Sequence, residues 1–181
     1  VGTKHISSFH RFFSKARWAT DALGLVLVLA LDARLDQDAP IVAPVDDTLG
    51  RHTGKEIAAA SMHRDPLLST GRRLFFHWGH VWVVLSINLP MFGKTWALPV
   101  LFRLYRSKKR CKTDRKPYRK TTELARELIE VLAKTLPHRR IIVLGDAAYT
   151  NSSLIKKRPN NETLIGRSRL DAALYAPAPK R

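Results

Sequence analysis

Acidic side chains are scarce in this chain. Asp and Glu number 15 against 32 Lys and Arg in 181 residues, which leaves a net charge of +17. An imbalance of that size points to a polyanionic partner, with nucleic acid first and an anionic membrane surface second. Cysteine is scarcer still. The single thiol, Cys111, excludes an internal disulfide framework and a multi-cysteine zinc site, and it fits a reducing cytosol. Long apolar runs are missing as well. The longest, ALGLVLVLAL at residues 22–31, falls well short of the roughly 20 residues that a bilayer requires, and it reads as a buried helix. HTGK at 52–55 lacks the spacing of a phosphate-binding loop, which argues against nucleotide binding there. What is present is 45% hydrophobic content, enough for a real core.

Against so few acids, one stretch stands out. APIVAPVDDTLG (39–50) carries an apolar run that ends on two adjacent carboxylates, Asp46 and Asp47. The run is expected to be a strand that stops at the pair. A second apolar run, RRIIVLGDAAY (139–149), likewise ends on a carboxylate, Asp146. If the two strands are neighbours in one sheet, their ends bring acids together where α/β proteins place their chemistry. Clustered carboxylates repel and raise one another's pKa, a cost that a divalent cation removes. Mg²⁺ accepts two or three carboxylates plus water and a substrate phosphate. The bland alternative is that each Asp forms a turn or a helix cap. In an extended segment Asp46 and Asp47 point to opposite faces, so only one of them can join Asp146.

The remaining pattern predicts an α/β architecture behind a helical arm. Residues 1–38 read as two helices, the first aromatic and basic (Phe9, Phe12, Phe13, Arg11, Lys15), with Ser7 or Ser8 as its cap. Thr20 and Asp21 are expected to open the second, which runs to about Leu35. The polar stretch 49–79 reads mostly as loop. HVWVVLSIN (80–88) and TWALPVLFRLY (95–105) read as paired strands, Pro99 warning of a bulge or an edge. RSKKRCKTDRKPYRK reads as a basic loop. TTELARELIEVLAKTLP follows as an amphipathic helix with Thr121 or Thr122 as cap. A short helix and a last strand near 163–168 complete a domain over 39–170, and 171–181 reads as a linker.

PVDDT followed by VLGDAAY resembles the DDE transposases of bacterial insertion sequences, as do the flanks FHRFFSKARW, GHVWVVLSINLP and ETLIGRSRLDAALY. That resemblance implies a ribonuclease-H-like mixed sheet with flanking helices. It also implies Mg²⁺- or Mn²⁺-dependent cutting and strand transfer of DNA, in the bacterial cytoplasm at the nucleoid. Implied partners are transposon ends and target DNA, with a homodimer in the DNA complex and no membrane. Asp146 then takes the second catalytic, metal-binding position. Asp47, directly before Thr48, is favoured for the first, with Asp46 as the alternative. The family's third acid, a Glu on a later helix, finds no match before Arg181. The chain is therefore expected to be cut short, and a catalytically inactive DNA-binding remnant is the alternative function. A basic structural protein of a ribonucleoprotein is a third reading.

DNA backbone contacts are expected from Arg106, Lys108, Lys109, Arg110, Lys112, Arg115 and Lys116. Arg72, Arg73, Lys156, Lys157, Arg158, Arg167 and Arg169 could extend that surface. His52, His63, His77 and His80 surround the long polar segment without cysteine partners, so DNA contact or ordinary packing is preferred there to zinc.

Overall fold

The computed structural model describes residues 5–15, 17–54, 56–156 and 158–168. Lys157, Arg169 and the linker expected at 171–181 lie outside the described residues. Two helices, α1 (Ile6–Ser14) and α2 (Thr20–Asp32), precede a six-stranded sheet. Its first strands are β1 (Ile41–Arg51), β2 (Ser61–Arg64), β3 (Phe76–Met91) and β4 (Lys94–Tyr105). Helices α3 (Lys108–Thr113) and α4 (Thr121–Thr135) follow, then β5 (Ile141–Gly145), α5 (Ser152–Lys156) and β6 (Glu162–Gly166).

Pairing fixes the topology. β3 runs antiparallel to β1, β2 and β4, whereas β5 is parallel to β1 and β6 is parallel to β5. Gly79 pairs with Arg51 of β1 and with Ser61 of β2, so those strands flank β3 on opposite sides. Val81 pairs with Leu49 of β1 and with Tyr105 of β4, which puts β4 further along the β2 side. Three long antiparallel strands thus pass into two short parallel ones, with β1 central. This is a mixed sheet of the ribonuclease-H-like kind.

One face of the sheet is covered. Ile41, Ala43 and Val45 of β1 and Val83, Leu85 and Ile87 of β3 are buried against Leu124, Leu128, Ile129 and Leu132 of α4 and Val28 and Leu31 of α2. Each Val, Leu or Ile among them contributes roughly 1.5–3 kcal/mol by leaving water. α2 lies close on β4 because Gly24 has no Cβ; one built there would stand 2.2 Å from the Val100 carbonyl oxygen. Arg103 ties the layers together, bonding Asp21 of α2 at 2.7 Å and Glu127 of α4 at 2.7 Å. The opposite face carries the even residues of β3. There Trp82, Val84, Pro44, Asp46, Thr48 and Phe102 line an open groove of about 630 Å³. α2 also leaves Leu23, Val26, Leu27 and Leu29 exposed. No helix among the described residues is long and apolar enough to cross a membrane.

Several local expectations change. β1 does not stop at the Asp pair; it continues to Arg51, because residues 45–51 pair with 79–85 of β3 and ladder bonds outweigh the weak strand preference of Asp-Asp-Thr. The polar segment contains β2, held beside β3 by Asp65, whose side chain accepts from the Leu67 and Leu68 N–H groups and pairs with Arg51 and His77. The basic segment contains α3, capped by Ser107 and anchored by buried Cys111. α2 ends at Asp32 rather than near Leu35. α2 opens at Thr20 as expected, whereas the caps of α1 and α4 lie one or more residues earlier than expected: His5 for α1, and Lys120 for α4, where Glu123 closes a capping box. The irregularity signalled by Pro99 is present as a register shift at Leu85/Ser86, opposite Pro99.

Candidate active site

Strand parity separates the two adjacent acids. Odd residues of β1 face the helices and even residues face the open groove, so Asp47 continues the side of Val45 while Asp46 lies with Pro44 and Thr48. Only the Asp47 side meets the turn after β5. There Tyr149 is fully buried, and its hydroxyl donates to Asp47 Oδ1 at 2.8 Å. The same residue's N–H donates to Asp146 Oδ1 at 3.3 Å, beside the Ala148 N–H at 2.8 Å. One tyrosine therefore addresses both acids, Asp47 with its ring and Asp146 with its backbone. Asp46 spends Oδ1 on the Asp47 N–H at 2.8 Å.

The turn itself has a sequence cause. β5 ends on Gly145, where a Cβ would stand 2.9 Å from Tyr149 Cβ, so only glycine lets the chain fold back this tightly. Asp146 then caps the Ala148 and Tyr149 N–H groups. The bland reading of Asp146 as a turn former describes one of its oxygens correctly and does not exclude a second task.

Electrostatics mark Asp47. Burial pushes its carboxyl above the ordinary value of 3.8; the Tyr149 hydrogen bond opposes the rise, and the charges of Asp46 and Asp146 add to it. Tyr149 is itself pushed up strongly, by burial first and then by Asp47, so it stays a protonated donor. That fixes its role as a brace for Asp47. The donor set consists of hard carboxylate oxygens whose mutual repulsion a divalent cation would relieve, and in that respect it fits Mg²⁺ or Mn²⁺. Among the described residues, however, no group of three His, Cys, Asp or Glu side chains is placed to hold an ion.

The other acids nearby have structural duties. Glu123 accepts the Lys120 N–H, Glu127 pairs with Arg103 and Arg119, and Glu162 is buried at the start of β6. In the basic segment, Arg106 and Arg110 both lean on Asp114. Lys109, Lys112, Arg115 and Lys116 are exposed, and Lys108 lies 5.3 Å over the Tyr118 ring. Nothing in the sequence spacing announces that Tyr149 braces Asp47.

The family model described as DDE superfamily endonuclease matches residues 2–181, and the chain belongs to that family. DNA is the substrate that this membership implies, and divalent ions such as Mg²⁺ are the general cofactor of such nucleases. No curated protein and no solved structure was found to match the chain.

Proposed function

From membership in the DDE superfamily endonucleases, we propose that this protein is the transposase of an insertion sequence, cutting DNA and transferring the freed end. The observation that supports the reading is Tyr149, which donates its hydroxyl to Asp47 and its N–H to Asp146, while the charge of Asp146 helps to raise the Asp47 pKa. Asp47 and Asp146 would hold the metal, and Asp46 faces away. A divalent ion bound there supplies charge stabilisation at the phosphate and a more acidic water or 3′-hydroxyl nucleophile. Tyr149 keeps the Asp47 carboxylate oriented, and the Ala148 and Tyr149 N–H groups do the same for Asp146. Lys108, Lys109, Lys112, Arg115 and Lys116, with Arg106 and Arg110 stiffened by Asp114, hold the DNA backbone.

A second reading, DNA binding without cleavage, draws on the lack of a third ligating side chain among the described residues. Nicking of supercoiled DNA in Mg²⁺ or Mn²⁺ separates the two. The transposase reading expects nicking that Asp47→Asn and Asp146→Asn abolish and Asp46→Asn retains. Binding without nicking in every version supports the second reading. Loss of nicking in Asp46→Asn but not in Asp47→Asn would reverse the assignment of the first acid. Absence of DNA binding at low salt overturns both readings.

A further inference from the structure

Two histidines meet where β1 ends. His52 follows Arg51, and its Nε2 lies 3.0 Å from Nδ1 of His80 in β3. His80 turns its other nitrogen to the Ala58 carbonyl oxygen at 2.8 Å. That contact makes Nε2 of His80 the protonated nitrogen and leaves a lone pair on Nδ1, facing His52. Histidines that ligate metals are commonly held in this way, with the outer N–H donated to a carbonyl.

The ring geometry goes further. The centroids are 4.8 Å apart and the planes cross at 75°. An in-line N–H···N bond of this length would hold the centroids about 5.3 Å apart, since each ring nitrogen lies roughly 1.15 Å from its centroid. The observed spacing is shorter than that, so the contact is bent rather than in line. An ion about 2.05 Å from both nitrogens would at this N···N separation subtend roughly 95°, below the tetrahedral angle, so the two rings would open slightly on binding.

We propose that His52 and His80 form a site for a borderline transition-metal ion, zinc first, with copper(II) and nickel(II) as competent substitutes. Imidazole pairs suit these ions and not Mg²⁺. No group of three ligating side chains is assembled among the described residues, so water or a substrate oxygen completes the coordination. The site is separate from the carboxylates. His80 shares the open face of the sheet with Trp82, opposite the face of Asp47, and five residues of strand put His52 about 16 Å from Asp47. A bound ion joins the end of β1 to β3, beside the bond from Trp78 Nε1 to the Gly54 oxygen at 2.7 Å.

The test uses the full, untagged chain, titrated with Zn²⁺ by calorimetry and with Cu²⁺ by electron paramagnetic resonance. One equivalent of Zn²⁺ is expected to bind, weakened about tenfold or more by His52→Gln and by His80→Gln. His138→Gln and Asp146→Asn should leave it unchanged. The Cu²⁺ spectrum should show hyperfine splitting from two imidazole nitrogens, falling to one in His52→Gln, a residue exposed enough that folding is not at stake. Zn²⁺ binding equal to wild type in both histidine variants, no saturable binding by the folded chain, or loss of binding in Asp146→Asn would each overturn the proposal.

Discussion

At the scale of single residues, Asp47 is held in a state that the metal-free chain would rather avoid. Its folded pKa is raised, first by burial, so its favourable contribution to stability is complete below the ordinary value of 3.8 and is lost as pH rises through the higher folded value. At neutral pH the ionised carboxylate therefore opposes folding. Asp47→Asn keeps an oxygen to accept the Tyr149 hydroxyl and removes the charge. The variant should melt higher than wild type at pH 7 without divalent ions, by on the order of 1–2 °C. The gap should close as pH falls toward 3.8. Thermal melts across pH check this; a variant that melts lower at pH 7 would mean that the carboxylate is not strained. Much of this was legible in advance. The alternation of an extended segment already says that Asp46 and Asp47 part company. It does not say which of them meets Asp146, because that depends on which face α2 and α4 cover, a property of the packed sheet.

At the scale of elements, the register of β1 against β3 decides where the acids stand. Gly79 makes that register possible: a Cβ there would lie 2.1 Å from the Gly50 carbonyl oxygen and 3.1 Å from the Arg51 Cα, both backbone atoms of β1. Gly79→Ala should force the strands apart and cost about 1–3 kcal/mol, the usual penalty for overpacking. Urea unfolding would read it, and a cost near zero would mean that the two strands are less tightly apposed. The elements missed by the sequence pattern share a cause. β2 and α3 are short and polar, and each is held by particular partners: β2 by Asp65 with Arg51 and His77, and α3 by the Ser107 cap and one buried cysteine. Neither has the apolar periodicity that betrays α4, whose Leu124, Leu128, Ile129 and Leu132 are all buried as their spacing predicts.

At the scale of the whole molecule, the net charge is +17. Binding to duplex DNA should weaken steeply with salt, because each phosphate neutralised releases counterions and adds about 0.9 to the logarithmic slope. Replacing Lys109, Lys112 and Lys116 together with Gln should lower that slope by roughly 2–3 with little change in sequence preference. Fluorescence anisotropy from 50 to 200 mM salt, both concentrations being about the usual working range, measures it. An unchanged slope would move the DNA contact to another face. The composition made the polyanion preference plain, but it could not distribute the charge: Arg106 and Arg110 turn inward to Asp114, whereas their lysine neighbours stay exposed.

The parallel pairing of β1 with β5 also sets a clock. Ile41 lies beside Ile141, so the strand that carries Asp47 must wait for a neighbour made about 100 residues later, on the order of 5–20 s at ribosomal speed. β3 and β4 can close on each other as a local hairpin in that interval. The Asp47 site cannot, since Asp146 and Tyr149 have not yet been synthesised. A nascent chain thus carries its basic α3 segment before it owns both acids, and on the proposed reading the capacity to cut would arrive late in its own synthesis.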